Sequence, residues 1–242
     1  MERRVEHRVT TRIYADDIAI DVTRKKIKNI HLKVLPPNGE VRISAPKSVA
    51  KRALQDFARS KLDWIRAQQL KISQQPRATV PAFVDGETHY LFGRPLTLRV
   101  EDTGRVPLVQ RQDATLVLQV APGSDCDTRR AAVHAWYRRE LETALQPLVV
   151  YWQSQLGVSV ERISLRSMRT RWGSCTPARC AIRLNLELAK TPLHCLEYVL
   201  VHELVHLIEP SHNHRFVLLM DRFLPLWRAW RDELNETQLS QH

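Results

Sequence analysis

The sequence predicts an α+β protein: a small N-terminal β-sheet with a long helix, followed by a helical region that carries a short β-sheet and a buried, histidine-bearing helix. Three observations predict it. Ile30, Leu32 and Val34, then Val41, Ile43 and Ala45, alternate with polar residues on both sides of Pro36-Pro37-Asn38-Gly39, the pattern of a hairpin with one buried face. From Arg129 to Leu156, the residues Ala132, Trp136, Leu141, Leu145, Leu148 and Trp152 recur at helical spacing. Between Pro192 and Glu209, apolar residues surround most of the helix circumference, which predicts burial.

The remaining elements follow in order. Val49, Leu54, Phe57, Leu62, Ile65 and Leu70 predict one amphipathic helix from Ser48 to about Gln74, with Ser48 as its N-cap. "ETHYLFGRPLTLRVED" and "ATLVLQVAPG" read as three short strands, the first two turned at Gly93. The turn-rich stretch Pro122–Thr128 is the expected boundary between an N-terminal basic, β-rich region with the long helix (1–122) and a C-terminal region (123–242), the two packed as one unit. Gly157 should end the long helix. "VERISLRSMRTRWGSC" and "CAIRLNLELA" read as two strands, since Ile182, Leu184 and Leu186 alternate with Arg183, Asn185 and Glu187. Pro192 suits the first turn of the next helix and Pro210 stops it, and two shorter helices, 215–223 and 226–235, complete the chain.

Length and composition bound what the protein can do. A chain of 242 residues buries an ordinary core without covalent staples. Its four cysteines show no C-x-x-C pairing, and the first residues lack the apolar stretch of a secretory signal, which predicts a reducing, cytoplasmic setting. No apolar run approaches the roughly eighteen residues of a membrane span. The net charge of +11 is uneven: residues 1–80 hold 18 Lys plus Arg against 8 Asp plus Glu, and the rest hold 19 against 18. Such a basic front third attracts polyanions, so nucleic acid or a nucleotide is an expected partner there, beside the plainer reading of a solvated basic face.

The chemistry is concentrated in "HELVHLIEPSHNHRF", His202–Phe216. Residues four apart share a helix face, so His202 and His206 can direct two imidazoles at one point. Two such nitrogens at about 2.0–2.1 Å from a zinc ion leave room for a third protein ligand and an open position. Glu203, turned away around the helix, can reach that position without binding the metal and would act as general base. A third ligand has to come from beyond Pro210. His212, ten residues after His202, is favoured over His214. The spacing matches that of metzincins, but Glu209 stands where they have glycine. A buried helix carrying unliganded histidines and a glutamate would be costly, and a metal removes the conflict.

"RWGSC" (171–175), the strand containing "RLN", and "YVLVHELVHLIEPSHNHRF", together with "IKNIHLKVLPPNGEVRISAP", "KLDWI" and "LFGRPLTL", resemble the YgjP-like metallopeptidase family, related to SprT-like zinc proteases. The resemblance covers most of the chain. It implies a zincin-like catalytic region with Zn2+ on His202, His206 and His212, a catalytic Glu203, and a peptide or protein substrate. Arg169 and Arg171 are candidates for binding a substrate carboxylate or phosphate, or an oxyanion, against the alternative that they pair with acidic side chains. Zinc beside arginines would also suit a phosphoanhydride, so a nucleotide hydrolase is the second reading, although no phosphate-cradling glycine loop accompanies it. A nucleic-acid-associated module with structural zinc is the third.

Overall fold

A computed structural model of the protein describes residues 10–35, 38–74, 81–103, 106–168 and 170–239. The chain divides into two compact units, 1–79 with 238–242, and 80–237.

The first unit is built on a four-stranded sheet, with strands β1 (Thr10–Ala15), β2 (Ile18–Lys25), β3 (His31–Leu35) and β4 (Glu40–Pro46) in the order β1-β2-β4-β3. The β3–β4 hairpin has the expected alternation: Val41, Ile43 and Ala45 are buried, and Val34 pairs with Val41. Pro36 and Pro37 lie outside the described residues. The β2–β4 pair is parallel. Ile13, Ile20, Val22 and Ile43 form a core with Leu54, Ala58 and Ile65 from the helices that follow.

The single helix expected from Ser48 is instead two, α1 (Lys51–Arg59) and α2 (Leu62–Gln74), and Ala50 rather than Ser48 precedes the first. The interruption is local. The Ser60 hydroxyl donates to the Phe57 carbonyl at 2.8 Å, and the Lys61 amide reaches back only three residues, to Ala58. A serine that bonds its own preceding turn in this way competes with the α-helical ladder.

The second unit holds a four-stranded sheet, β5 (Thr88–Leu91), β6 (Arg94–Glu101), β7 (Leu108–Gln112) and β8 (Thr115–Gln119), in the order β5-β6-β8-β7. Helix α3 (Cys126–Leu156) is capped by Asp125, whose side chain accepts from the Thr128 amide, and by Gly157. The stretch 122–128, expected as a boundary, therefore leads into a helix of the same unit. The physical reason is a shared core: Leu96, Leu98, Leu116 and Leu118 pack in one cluster with Val133, Trp136 and Leu141 of α3. β7, which the sequence reading missed, buries only Val109 and so carries no alternation to detect.

Three further strands stand where two were expected: β9 (Arg162–Arg166), β10 (Gly173–Thr176) and β11 (Ala181–Asn185), in the order β10-β11-β9. β11 is antiparallel to β10 and parallel to β9. Ile182 and Leu184 face inward, toward the fully buried residues of helix α4 (Leu193–Val205). Helices α5 (His214–Phe223) and α6 (Trp227–Leu239) follow.

The hairpin β5–β6 steadies the approach to α4. Its two turn residues, Phe92 and Gly93, both have positive φ, as a type I′ turn requires. Their amides donate to the carbonyls of Ala189 and Lys190 at 2.8 and 3.2 Å, in the 3-10 turn ahead of α4. No helix among the described residues is long and apolar enough to cross a membrane.

Candidate metal centre

The expected helix to Glu209 ends four residues earlier. His206 is the C-cap of α4, still in right-handed helical conformation, so its ring keeps the face it would have one turn after His202. Tight bonds follow: the amides of Ile208 and Glu209 both donate to the Val205 carbonyl at 2.9 Å. The chain then reverses through Pro210 and Ser211. The Glu209 carboxylate accepts from the Ser211 hydroxyl at 2.9 Å, and the Asn213 side chain caps α5 by accepting from the Phe216 amide. Glu209 does not adopt the left-handed conformation that would demand glycine, which is why a glutamate can occupy this turn.

This reversal brings three rings together. His212 Nε2 lies 2.9 Å from His202 Nε2 and 3.1 Å from His206 Nε2. Nitrogens about 2.0–2.1 Å from one tetrahedral ion stand about 3.3–3.4 Å apart, close to this spacing. His206 Nδ1 donates to the Glu209 carbonyl at 3.1 Å, which leaves its Nε2 as a lone pair aimed into the cluster. Only one proton on the His212 Nε2 could bridge to either neighbour, so hydrogen bonding alone cannot satisfy all three nitrogens, whereas a shared cation can. The donor set fits a divalent ion of the imidazole-preferring kind. Burial and the adjoining histidines hold the His202 imidazole down to about 3, so the ring is neutral, as a ligand must be.

Phe216 forms the floor of the cluster. It is fully buried, and its ring lies 4.9, 4.8 and 4.8 Å from those of His202, His206 and His212. His214, the alternative third ligand, opens α5 and belongs to no group of converging ligand atoms among the described residues.

Glu203 is 5 % exposed, and burial pushes its carboxyl up to about 7, against a smaller opposing effect of the Arg171 charge. Gly173 of β10 is why it fits. A Cβ there would lie 2.5 Å from Glu203 Oε1 and 2.8 Å from its Cγ, so any side chain would take the space that the carboxylate occupies. Arg171 is exposed and lines, with Trp172, Tyr198, Glu203, Arg231 and Leu234, a cavity of about 210 Å³ beside the cluster. It makes no ion pair among the described residues. Arg169, the other candidate arginine, lies outside the described residues.

One positioning residue escaped the sequence reading. Asn185, at the end of β11, is 3 % exposed. Its amide donates to the carbonyls of Met168 and Arg171 at 2.8 and 2.9 Å, and its side-chain oxygen accepts from the amides of Met168 and Glu187. The loop leading into Gly173 is thereby tied to the strand beside it. No local pattern announces this role, because the partners are 14 and 17 residues away.

An α+β unit with three imidazoles converging at the end of a buried helix defines a class: proteins able to hold one divalent ion on a histidine triad. The chain belongs to the YgjP-like family, whose metallopeptidase domain matches residues 28–237. None of the curated proteins compared matches it. Membership makes it a metallopeptidase-family protein with peptides or proteins as the substrate class.

Proposed function

We propose that this protein is a zinc-dependent peptidase, zincin-like at its centre and akin to the SprT-like proteases, in which His202, His206 and His212 hold the ion and Glu203 is the general base. The observation that carries the reading is the pairing of converging Nε2 atoms, 2.9 and 3.1 Å apart, with a buried carboxylate one residue along the same helix. An ion bound there supplies Lewis acidity, polarising a carbonyl and making water acidic near neutral pH. Glu203 takes the proton from the attacking water at a carboxylate oxygen and returns it to the departing amine nitrogen. Because Gly173 has no side chain, the carboxylate can stand on the β10 side of the helix. Arg171 contributes positive charge at the mouth of the adjoining cavity, suited to a substrate carboxylate or a developing oxyanion.

The four free cysteines agree with a reducing, cytoplasmic setting. Three histidines would be the protein-ligand count of a catalytic zinc site, one fewer than the four of a structural one. Glu203→Gln tests the mechanism. Zinc content by elemental analysis stays at the wild-type value while cleavage of an unfolded protein substrate falls by about 10²–10⁴-fold. Undiminished cleavage in that variant would end the reading.

A further inference from the structure

The sheet that carries Gly173 on its inner side has an outer side with a different character. Period-two geometry puts Arg162, Ser164 and Arg166 of β9 on one face. Register places Arg183 of β11 beside Ser164, and Ala181 beside Arg162. Thr176 of β10 lies opposite Ala181, and Arg179 comes from the 3-10 turn joining the two strands. These residues line a groove of about 710 Å³, in which the small Ala181 leaves the depression.

The four guanidiniums are exposed, and none forms an ion pair or side-chain hydrogen bond among the described residues. Glu161 is the one carboxylate in the lining. An ordinary solvated face interleaves both signs, and residues 81–242 have the means, with 19 cationic against 18 acidic side chains. Here four guanidiniums share one groove with a single carboxylate, Arg183 standing diagonal to Arg162 and Arg166 rather than opposite either. A polyanion running along the groove meets all of these charges at once. Arginine in place of lysine favours phosphate, whose oxygens accept its forked donors in pairs, while Ser164 and Thr176 add hydroxyl donors between the charges.

We propose that the outward face of β9, β11 and β10 is a docking surface for the phosphate backbone of nucleic acid. No aromatic side chain lines the groove, so bases have no stacking platform and binding is independent of sequence. The surface is distinct from the basic front third and from the histidine triad, which lies beyond the inner face of the same sheet. Occupancy here leaves the cavity beside Glu203 open. The inference does not depend on the peptidase reading.

The test is fluorescence anisotropy of a labelled duplex DNA with the full-length protein across a salt series. Each lost phosphate contact flattens the slope of log K against log salt by about 0.9, so Arg162→Gln/Arg166→Gln/Arg183→Gln flattens it by about 2.7 and weakens binding. The corresponding triple Lys variant keeps the slope. Affinity and slope unchanged in the Gln variant, or binding lost only when lysines of the front third are replaced, overturns the proposal. Polyglutamate competing as strongly as DNA at equal charge overturns it too, in favour of an acidic protein partner.

Discussion

Glu203 and Gly173 meet from two distant parts of the chain, and in the proposed mechanism they act as one unit. The carboxylate stands where it does because residue 173 has no side chain. Gly173→Ala should therefore displace the carboxylate while leaving the imidazoles alone. Misplacing a reacting group by about 1 Å costs on the order of 10²-fold, so kcat falls by about that factor with zinc stoichiometry unchanged. A variant with the wild-type kcat would show that the close approach has no catalytic role. The neighbouring histidines illustrate a second residue-scale point: the His206 ring donates to the Glu209 carbonyl and all three rings pack on Phe216, so the proposed ligands are positioned by groups outside the proposed ligand set.

At the scale of elements, Asn185 ties the backbone at Met168 and Arg171, ahead of Gly173, to the end of β11. All of the hydrogen-bonding capacity of that buried amide is used on Met168, Arg171 and Glu187. Asn185→Ala leaves those backbone groups unpaired, at a cost of about 1–3 kcal/mol for each that stays buried. The expected result is a lower melting temperature and a raised KM, since Arg171 and Trp172 line the cavity; melting and KM at wild-type values would refute the clamp. This clamp also marks the limit of what could be read from the sequence. Helical spacing placed His202 and His206 on one face, and the alternation around Asn38-Gly39 pointed to the β3–β4 hairpin, because both are local periodicities. Ser60 and Val109 show where periodicity ends. An interrupted helix keeps its apolar spacing, and an edge strand with one buried residue has none. Asn185, Gly173 and Phe216 owe their roles to partners brought in by the fold.

At the scale of the whole molecule, the two compact units have separate cores, one around Ile20, Ile43 and Leu54 and the other around Leu118, Trp136 and Leu200. The histidine triad belongs entirely to the second. Metal binding to a native site stabilises by mass action, about 2.7 kcal/mol when the free ion is at 100 times its Kd. For a unit of this size, each kcal/mol moves the midpoint by about 2–4 °C, so stripping the ion with a chelator should lower the transition of residues 80–237 by about 5–11 °C. The transition of the first unit should stay where it is. Leu54→Ala should do the converse: it opens a cavity costing about 2–5 kcal/mol in the first core and leaves zinc content and the second transition unchanged. Differential scanning calorimetry of wild type, chelated protein and Leu54→Ala separates these cases. A single transition that moves as one under both perturbations would mean that the cores melt together, and that the metal stabilises the whole chain.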